Sequence, residues 1–139
     1  MNRALGIDHG DARIGLAISD ELNMLAHPLE TIAVKDTDAL KRVAEIVTAK
    51  NIGTIIIGLP KNMDGTTGPA AEKVRAFAEQ LRMRVTCPVK LWDERLTTVA
   101  AQKSLHAAGR NAKQSREVID QAAAQLILQG WLDSQSMSF

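Results

Sequence analysis

The sequence predicts a single α/β domain whose mixed sheet is covered by helices on both faces. Three observations lead to this fold class: an alternating strand at residues 14–19, an uninterrupted apolar strand at Thr54–Ile57, and amphipathic helical stripes between and after the strands. Alternation is typical of a strand with one apolar face, whereas a continuous β-branched run suits a parallel strand buried on both faces. The element order β-β-β-α-β-α-β-α-α therefore predicts an antiparallel hairpin joined to a parallel βαβαβ-like sheet.

Five segments of the chain have the pattern of β-strands. The first is short and apolar but ends in an aspartate beside a glycine turn, which raises the question of what that carboxylate does. The third is the weakest, and Pro28 places it at an edge because proline cannot donate to a ladder of hydrogen bonds. In chain order the predicted strands are Ala4–Asp8, residues 14–19, Met24–Val34, Thr54–Ile57 and Val89–Trp92.

Four segments have the pattern of helices. The first follows a run of possible N-cap residues, and the second has a proline near its first turn, where a missing N–H costs nothing. The third stops at a glycine, which is common just past a helix end. The fourth leaves residues 109–115 as a linker before it. The cap candidates of the first helix are Asp36, Thr37 and Asp38, and the proline of the second is Pro69. The third helix is predicted from about Thr98 to Ala108, before Gly109, and the fourth from a cap at Ser115 to about Asp133.

Composition argues against several classes of protein. The longest apolar runs are far too short to span a bilayer, and the N-terminal residues lack the apolar region of a signal peptide. Cys87 stands alone, so we expect a buried, inert thiol in a reducing cytoplasm. With two Trp, two Phe and no Tyr, an aromatic platform for base stacking is not expected.

Charge is unevenly distributed although the net charge is only +1. Residues 73–116 hold ten Lys and Arg against three Asp and Glu, whereas the segments before and after each carry a net charge of −3. A basic middle segment is a candidate phosphate-binding surface, but charge-rich helices are also common as solvated faces.

Polar residues follow three of the predicted strands at their carboxyl ends, where the functional crevice of such a sheet lies. These are Asp8, the segment Gly58–Asn62, and Asp93–Arg95. Asp120 falls on the edge of the apolar face of the last helix, a costly place for a carboxylate unless it is paired or metal-bound. Converging carboxylates without a His or Cys cluster suit Mg²⁺ or Mn²⁺, and a pair of such ions is typical of phosphodiester hydrolysis.

Each of these residues also has a structural interpretation. Asp8 could form a strand-end turn, Glu94 and Arg95 a surface pair, and Asp120 a cap or a salt bridge. Asp64–Gly65 has the composition of a tight turn. The coincidence of the three acids at one predicted sheet edge favours the interpretation as a site.

Four motifs then resemble a known family. GIDHGDARIGLAIS, IIIGLPKNMDGTTG, LWDERLTT and EVIDQAAAQLIL are similar to the YqgF (RuvX) family, in the family's order and over nearly the whole chain. The resemblance implies an RNase H-like fold with a five-stranded mixed sheet, order 3-2-1-4-5, in which strand 2 is antiparallel. It also implies a cytoplasmic nuclease that matures the 5′ end of pre-16S ribosomal RNA, or a Holliday junction resolvase.

The same resemblance implies which acids hold the metal. Asp8 corresponds to the acid of the first strand, Glu94 to the acid of the DER motif, and Asp120 to the acid of the last helix. Many RNase H-like nucleases carry their second acid after the fourth strand, where this chain has Gly58-Leu59-Pro60. The acid must then come from the fifth strand, and the sequence leaves Asp93 and Glu94 as alternatives, with Glu94 ranked first.

Five further residues fit a polynucleotide substrate. A glycine lets backbone approach a phosphate closely, an amide lines the rim, and cations contact phosphate oxygens. The predicted nucleic-acid-binding residues are Gly10, Asn62, Arg95, Lys113 and Arg116. We expect structured precursor rRNA, ribosomal particles or branched DNA as partners of a monomer or weak homodimer.

Three alternatives remain at this level. Asp8, Gly10 and Gly15 also match the D-x-G-x-x-x-x-G phosphate loop of sugar kinases and actin-type ATPases, but that fold needs two such domains. A non-catalytic RNA-binding module would gain nothing from clustered acids without metal. A DNA junction resolvase differs in its substrate and not in its chemistry.

Overall fold

The sheet has five strands, β1 (Arg3–His9), β2 (Arg13–Ser19), β3 (Ala26–Ala33), β4 (Ile52–Leu59) and β5 (Val89–Asp93). Their order in the sheet is β3-β2-β1-β4-β5, as the resemblance to the YqgF (RuvX) family implies. The computed structural model describes residues 2–62, 64–96 and 112–136, and for residues 112–117 it describes the backbone alone. Strand β2 runs antiparallel to both of its neighbours, whereas β1, β4 and β5 are parallel to one another.

Three helices are described, and their N-termini follow local chemistry. In α1 (Ala39–Ala49), Asp38 is the N-cap among the three candidates, because its carboxylate accepts a hydrogen bond from the backbone N–H of Lys41. In α2 (Pro69–Arg82), the proline opens the first turn, where no N–H is needed. Among the described residues, no helix is long and apolar enough to cross a bilayer.

The last helix, α3 (Ala112–Ser136), starts earlier than the sequence predicts. The prediction of Ser115 as N-cap is wrong, and so is the linker over residues 112–115, because these residues are helical. The neighbours of Ser115 are mostly strong helix formers, and a serine inside a helix costs only about 0.5 kcal/mol relative to alanine. The helix predicted over about residues 98–108 lies outside the described residues.

Helices α1 and α2 cover one face of the sheet and α3 covers the other. The core under α1 and α2 is made of large aliphatic side chains, which the alternation of β2 and the continuous apolar run of β4 supply. Cys87 packs at the margin of this core, and burial raises the pKa of its thiol, which agrees with an inert role. The core under α3 is smaller and rich in alanine: Ala4, Ala17, Ala26, Ile56, Ala123, Ala124, Ile127, Leu128 and Leu132.

Candidate active site

Asp8 lies at the carboxyl end of the central strand and is 5% exposed. It points to the α3 side of the sheet, because it lies on the same face of β1 as Gly6, where an added Cβ would meet Leu128 and the Ala124 carbonyl of α3. On one side Asp8 pairs with Gly15 of β2. A polar side chain thus stands buried between glycines, at the sheet edge where the crevice was predicted.

Glu94 reaches the same place from the end of β5. It opens a 3-10 turn directly after the strand, and its Oε1 would lie 2.7 Å from a Cβ built on Gly58. Ile7 pairs with Ile57, so Asp8 and Gly58 are the next residues along β1 and β4. The glycine that replaces the expected fourth-strand acid therefore leaves the space that the Glu94 carboxylate occupies.

Asp93 faces the opposite side of the sheet. It follows Leu91 in the alternation of β5, and Leu91 packs against the core under α1 and α2. Its carboxylate accepts hydrogen bonds from Arg95 Nε at 3.1 Å and Nη2 at 2.8 Å, and Lys61 Nζ lies 3.7 Å away. The bonds from Arg95 lower the pKa of Asp93 to about 2. Of the two alternatives, Glu94 is the one directed toward Asp8.

Asp120 comes from α3 and is only 9% exposed, as its position at the edge of the apolar face predicts. The helix approaches so closely here that a Cβ on Gly15 would overlap the backbone carbonyl of Asp120. Because Gly15 is also the partner of Asp8, the helix places Asp120 beside the end of β1. Its Oδ2 accepts a hydrogen bond from Arg13 Nε at 2.7 Å.

Arg13 is a residue that the sequence analysis missed. It is the first residue of β2 and lies two residues before Gly15, on the same face of the strand. The period of β2 alone could have placed it opposite the last helix. The ion pair spans 107 positions of sequence, so only the fold brings its partners together.

The three acids thus share one face and one end of the sheet. No group of three Asp, Glu, His or Cys is close enough to hold a metal ion in the described part of the chain, and Asp120 is paired with Arg13. The donor set nevertheless fits a hard cation, because it is all oxygen.

The predicted nucleic-acid contacts lie in different surroundings. A Cβ on Gly10 would lie 2.6 Å from the carbonyl oxygen of Arg13, so the hairpin itself needs this glycine. Asn62 donates to Thr66 Oγ1, which closes the loop after β4 around Gly65 at φ +89°. Arg95 is held by Asp93. The side chains of Lys113 and Arg116 lie outside the described residues, although both positions fall in the first turns of α3.

His9 turns away from the acids. Its ring lies 4.8 Å from that of Phe77 on the α2 side, and burial lowers its pKa. It alternates with Asp8, so the two ends of the motif Asp8-His9 serve different faces.

Comparison with known proteins agrees with this architecture. RuvC from T. thermophilus, solved in complex with a Holliday junction substrate, superimposes with a TM-score of 0.61 at 14% identity over 99% of this chain and 98% of that one. The yeast mitochondrial Holliday junction resolvase gives 0.54 at 12% identity, over 97% and 79% of the two chains. These similarities show the fold, which is that of the RNase H-like class of proteins.

Sequence comparison is more specific. A chain from Geobacillus kaustophilus named "Putative pre-16S rRNA nuclease" is 49% identical over 96% of this chain and 99% of its own length. A chain of the same name from Bacillus subtilis is 44% identical over 95% and 98%. The family described as "RuvX: Holliday junction resolvase" matches residues 2–134. The chain belongs to the RuvX family.

Proposed function

We propose that this protein is a metal-dependent nuclease that processes the 5′ end of precursor 16S rRNA in the cytoplasm. The observation that carries the proposal is the Glu94 carboxylate seated over Gly58, next to the buried Asp8. Asp8 is buried, and burying a carboxylate is costly unless it is paired or binds a metal, so a ligand role accounts for a carboxylate at this position.

Asp8, Glu94 and Asp120 would hold Mg²⁺ or Mn²⁺, for which their oxygens are suited. When bound, such ions activate water and stabilise the leaving oxygen of a phosphodiester. The chain itself contributes position: β1 fixes Asp8, the space over Gly58 and the adjacent Ile127 fix Glu94, and the backbone contact with Gly15 fixes Asp120. Rigid elements of this kind hold donors more accurately than loops do.

A polynucleotide substrate is supported by the names of the relatives and by the basic segment over residues 73–116. The substrate would be held mainly by contacts to phosphates, because few aromatic residues are available for base stacking. Such contacts position the chain without reading sequence, so the structure of the RNA would select the cleavage site.

The decisive experiment compares Asp8→Asn, Glu94→Gln and Asp93→Asn. We expect cleavage of precursor rRNA to fall at least about 100-fold in the first two and only a few-fold in the third, which serves as the matched control at the neighbouring position. Melting temperature should be unchanged or slightly raised in Asp8→Asn, since one of several repelling charges is removed. RNA affinity should persist in all three.

Other outcomes point elsewhere. A destabilised Asp8→Asn protein that still cuts would make Asp8 a turn residue. Binding without cleavage by the wild-type protein would favour an RNA-binding module. Preferential cleavage of four-way DNA junctions over precursor rRNA, by a protein that is dimeric in solution, would favour a resolvase, because a two-fold junction calls for a symmetric dimer.

A further inference from the structure

The ion pair between Arg13 and Asp120 stands where a metal ligand is expected. Its Nε–Oδ2 distance is 2.7 Å, and the side chains are 33% and 13% exposed. Asp120 cannot easily retreat, because its backbone lies against Gly15. Arg13 is held at its main chain by pairing with Ala33 of β3, while a third of its side chain is open to solvent. The carboxylate is therefore the fixed partner and the guanidinium the movable one.

A guanidinium and a divalent cation compete for the same carboxylate oxygen. Arginine stays charged at any ordinary pH, so the pair cannot be dissolved by losing a proton and must be broken by displacement. A short, charge-assisted hydrogen bond of this kind has to be given up before Oδ2 can accept a metal. The free energy of metal binding at Asp120 would then include the cost of breaking the hydrogen bond from Arg13.

We propose that Arg13 is a positioning residue that stands in for the cation at Asp120 and is displaced from Oδ2 when the metal binds. This inference rests on the function proposed above. In the metal-free protein Arg13 neutralises Asp120 and holds its carboxylate at the start of β2. After displacement the guanidinium remains beside the site, on the solvent side, where its donors can bind a phosphate oxygen of the nucleic acid.

Removal of Arg13 should therefore strengthen metal binding and, at the same time, lower the thermal stability of the metal-free protein. In Arg13→Gln, the melting temperature in EDTA should fall, and the dissociation constant for Mn²⁺ measured by calorimetry should decrease about 3- to 10-fold. The rise in melting temperature with Mn²⁺ should be correspondingly larger. Arg13→Lys keeps the charge but loses the planar guanidinium. Its melting temperature and its dissociation constant for Mn²⁺ should lie between those of the wild type and Arg13→Gln.

The matched control is Arg42→Gln. Arg42 forms an ion pair of the same length with Glu30, at 2.7 Å, that joins α1 to β3 and involves none of the three acids. The Arg42→Gln substitution should lower the melting temperature equally with and without Mn²⁺ and leave the affinity for Mn²⁺ unchanged. This separates loss of an ion pair in general from loss of the competitor at Asp120.

Two results would overturn the inference while the nuclease stands. Unchanged Mn²⁺ affinity in Arg13→Gln, with wild-type binding intact, would make Arg13 a structural residue. Weaker affinity would mean that Arg13 orients Asp120 while the metal is bound. If Mn²⁺ neither binds the wild-type protein nor raises its melting temperature, the metal site fails and this inference with it.

Discussion

The two faces of the sheet are built from the same strands but from different kinds of residue. The face under α1 and α2 carries large side chains, such as Leu16 and Ile57, which are fully buried. The face under α3 carries glycine and alanine, and its helix lies on the sheet backbone itself. The face under α1 and α2 therefore has the larger apolar side chains. The small residues on the other face let α3 approach closely and bring Asp120 to the strand ends.

Adjacent residues therefore have unlike roles. Gly15 and Leu16 are neighbours in β2, and Asp93 and Glu94 are neighbours at the end of β5, but each pair is divided between the faces. Substitution of each residue in a pair tests whether one face of the sheet contributes mainly to stability and the other mainly to cleavage.

The largest effect is expected from Gly15→Ala. Its Cβ would overlap the backbone carbonyl of Asp120, which has no rotamer to move aside, so α3 must shift as a whole. We expect a loss of about 3 kcal/mol or more in the free energy of unfolding, measured in urea, and loss of cleavage even where the protein is folded.

Gly68→Ala is the control for this change. No atom lies within 4 Å of the Cβ it would add, so only the cap of α2 is affected, at a cost of about 1 kcal/mol or less. Equal effects of the two substitutions would mean that close helix approach is not what Gly15 provides.

Leu16→Ala should cost about 3 kcal/mol for a different reason. The side chain is fully buried under α1 and α2, and its removal leaves a cavity. Because that cavity lies on the far face from the acids, cleavage per folded molecule should be close to wild type at a temperature well below the melting point. A large loss of activity in the folded protein would contradict the separation of the two faces.

A smaller, pH-dependent effect is expected from Asp93→Asn. The pKa of Asp93 is lowered to about 2 in the folded protein, chiefly by Arg95, from an ordinary value near 3.8. A lowered pKa stabilises the fold fully above the ordinary value, and that stabilisation is lost as pH falls from there through about 2. The variant should be less stable at pH 6, by at most about 1 kcal/mol for so exposed a pair, and equal to wild type below pH 2.

Thermal unfolding across this pH range measures the difference. A stability difference that is constant with pH would show that the charge of Asp93 is not its contribution. Glu94→Gln is the companion variant at the neighbouring position, because it should lower cleavage.

The smallest effect concerns salt. Affinity for structured RNA should fall steeply with salt, and Lys113→Ala or Arg116→Ala should each flatten the logarithmic slope by about one unit at most. Lys41→Ala, on the α1 side of the molecule, should leave the slope unchanged if the substrate lies on the α3 side. Equal slopes for all three variants and the wild type would contradict the placement of the substrate.

Much of the fold could be predicted because its signals are local. The alternation of residues 14–19, the apolar run in β4, the Asp38 cap and Pro69 each act within a few positions, and every one appears in the structure. The position of Asp120 at the edge of a helical face is also local, since it follows from 100° per residue. The prediction of Ser115 as the N-cap of α3 is wrong because serine, although favourable as a cap, is also tolerated inside a helix of strong helix formers.

The arrangement of the site was decided by tertiary structure. Whether Asp93 or Glu94 meets Asp8 depends on the phase of the β5 pleat, which pairing with β4 sets, and on the 3-10 turn that follows the strand. The role of Gly58 emerges only when Glu94 lies over it, and Arg13 meets Asp120 only because α3 crosses β2 at a glycine. Periodicity determines which side of an element a residue occupies, but packing between distant elements determines what it meets there.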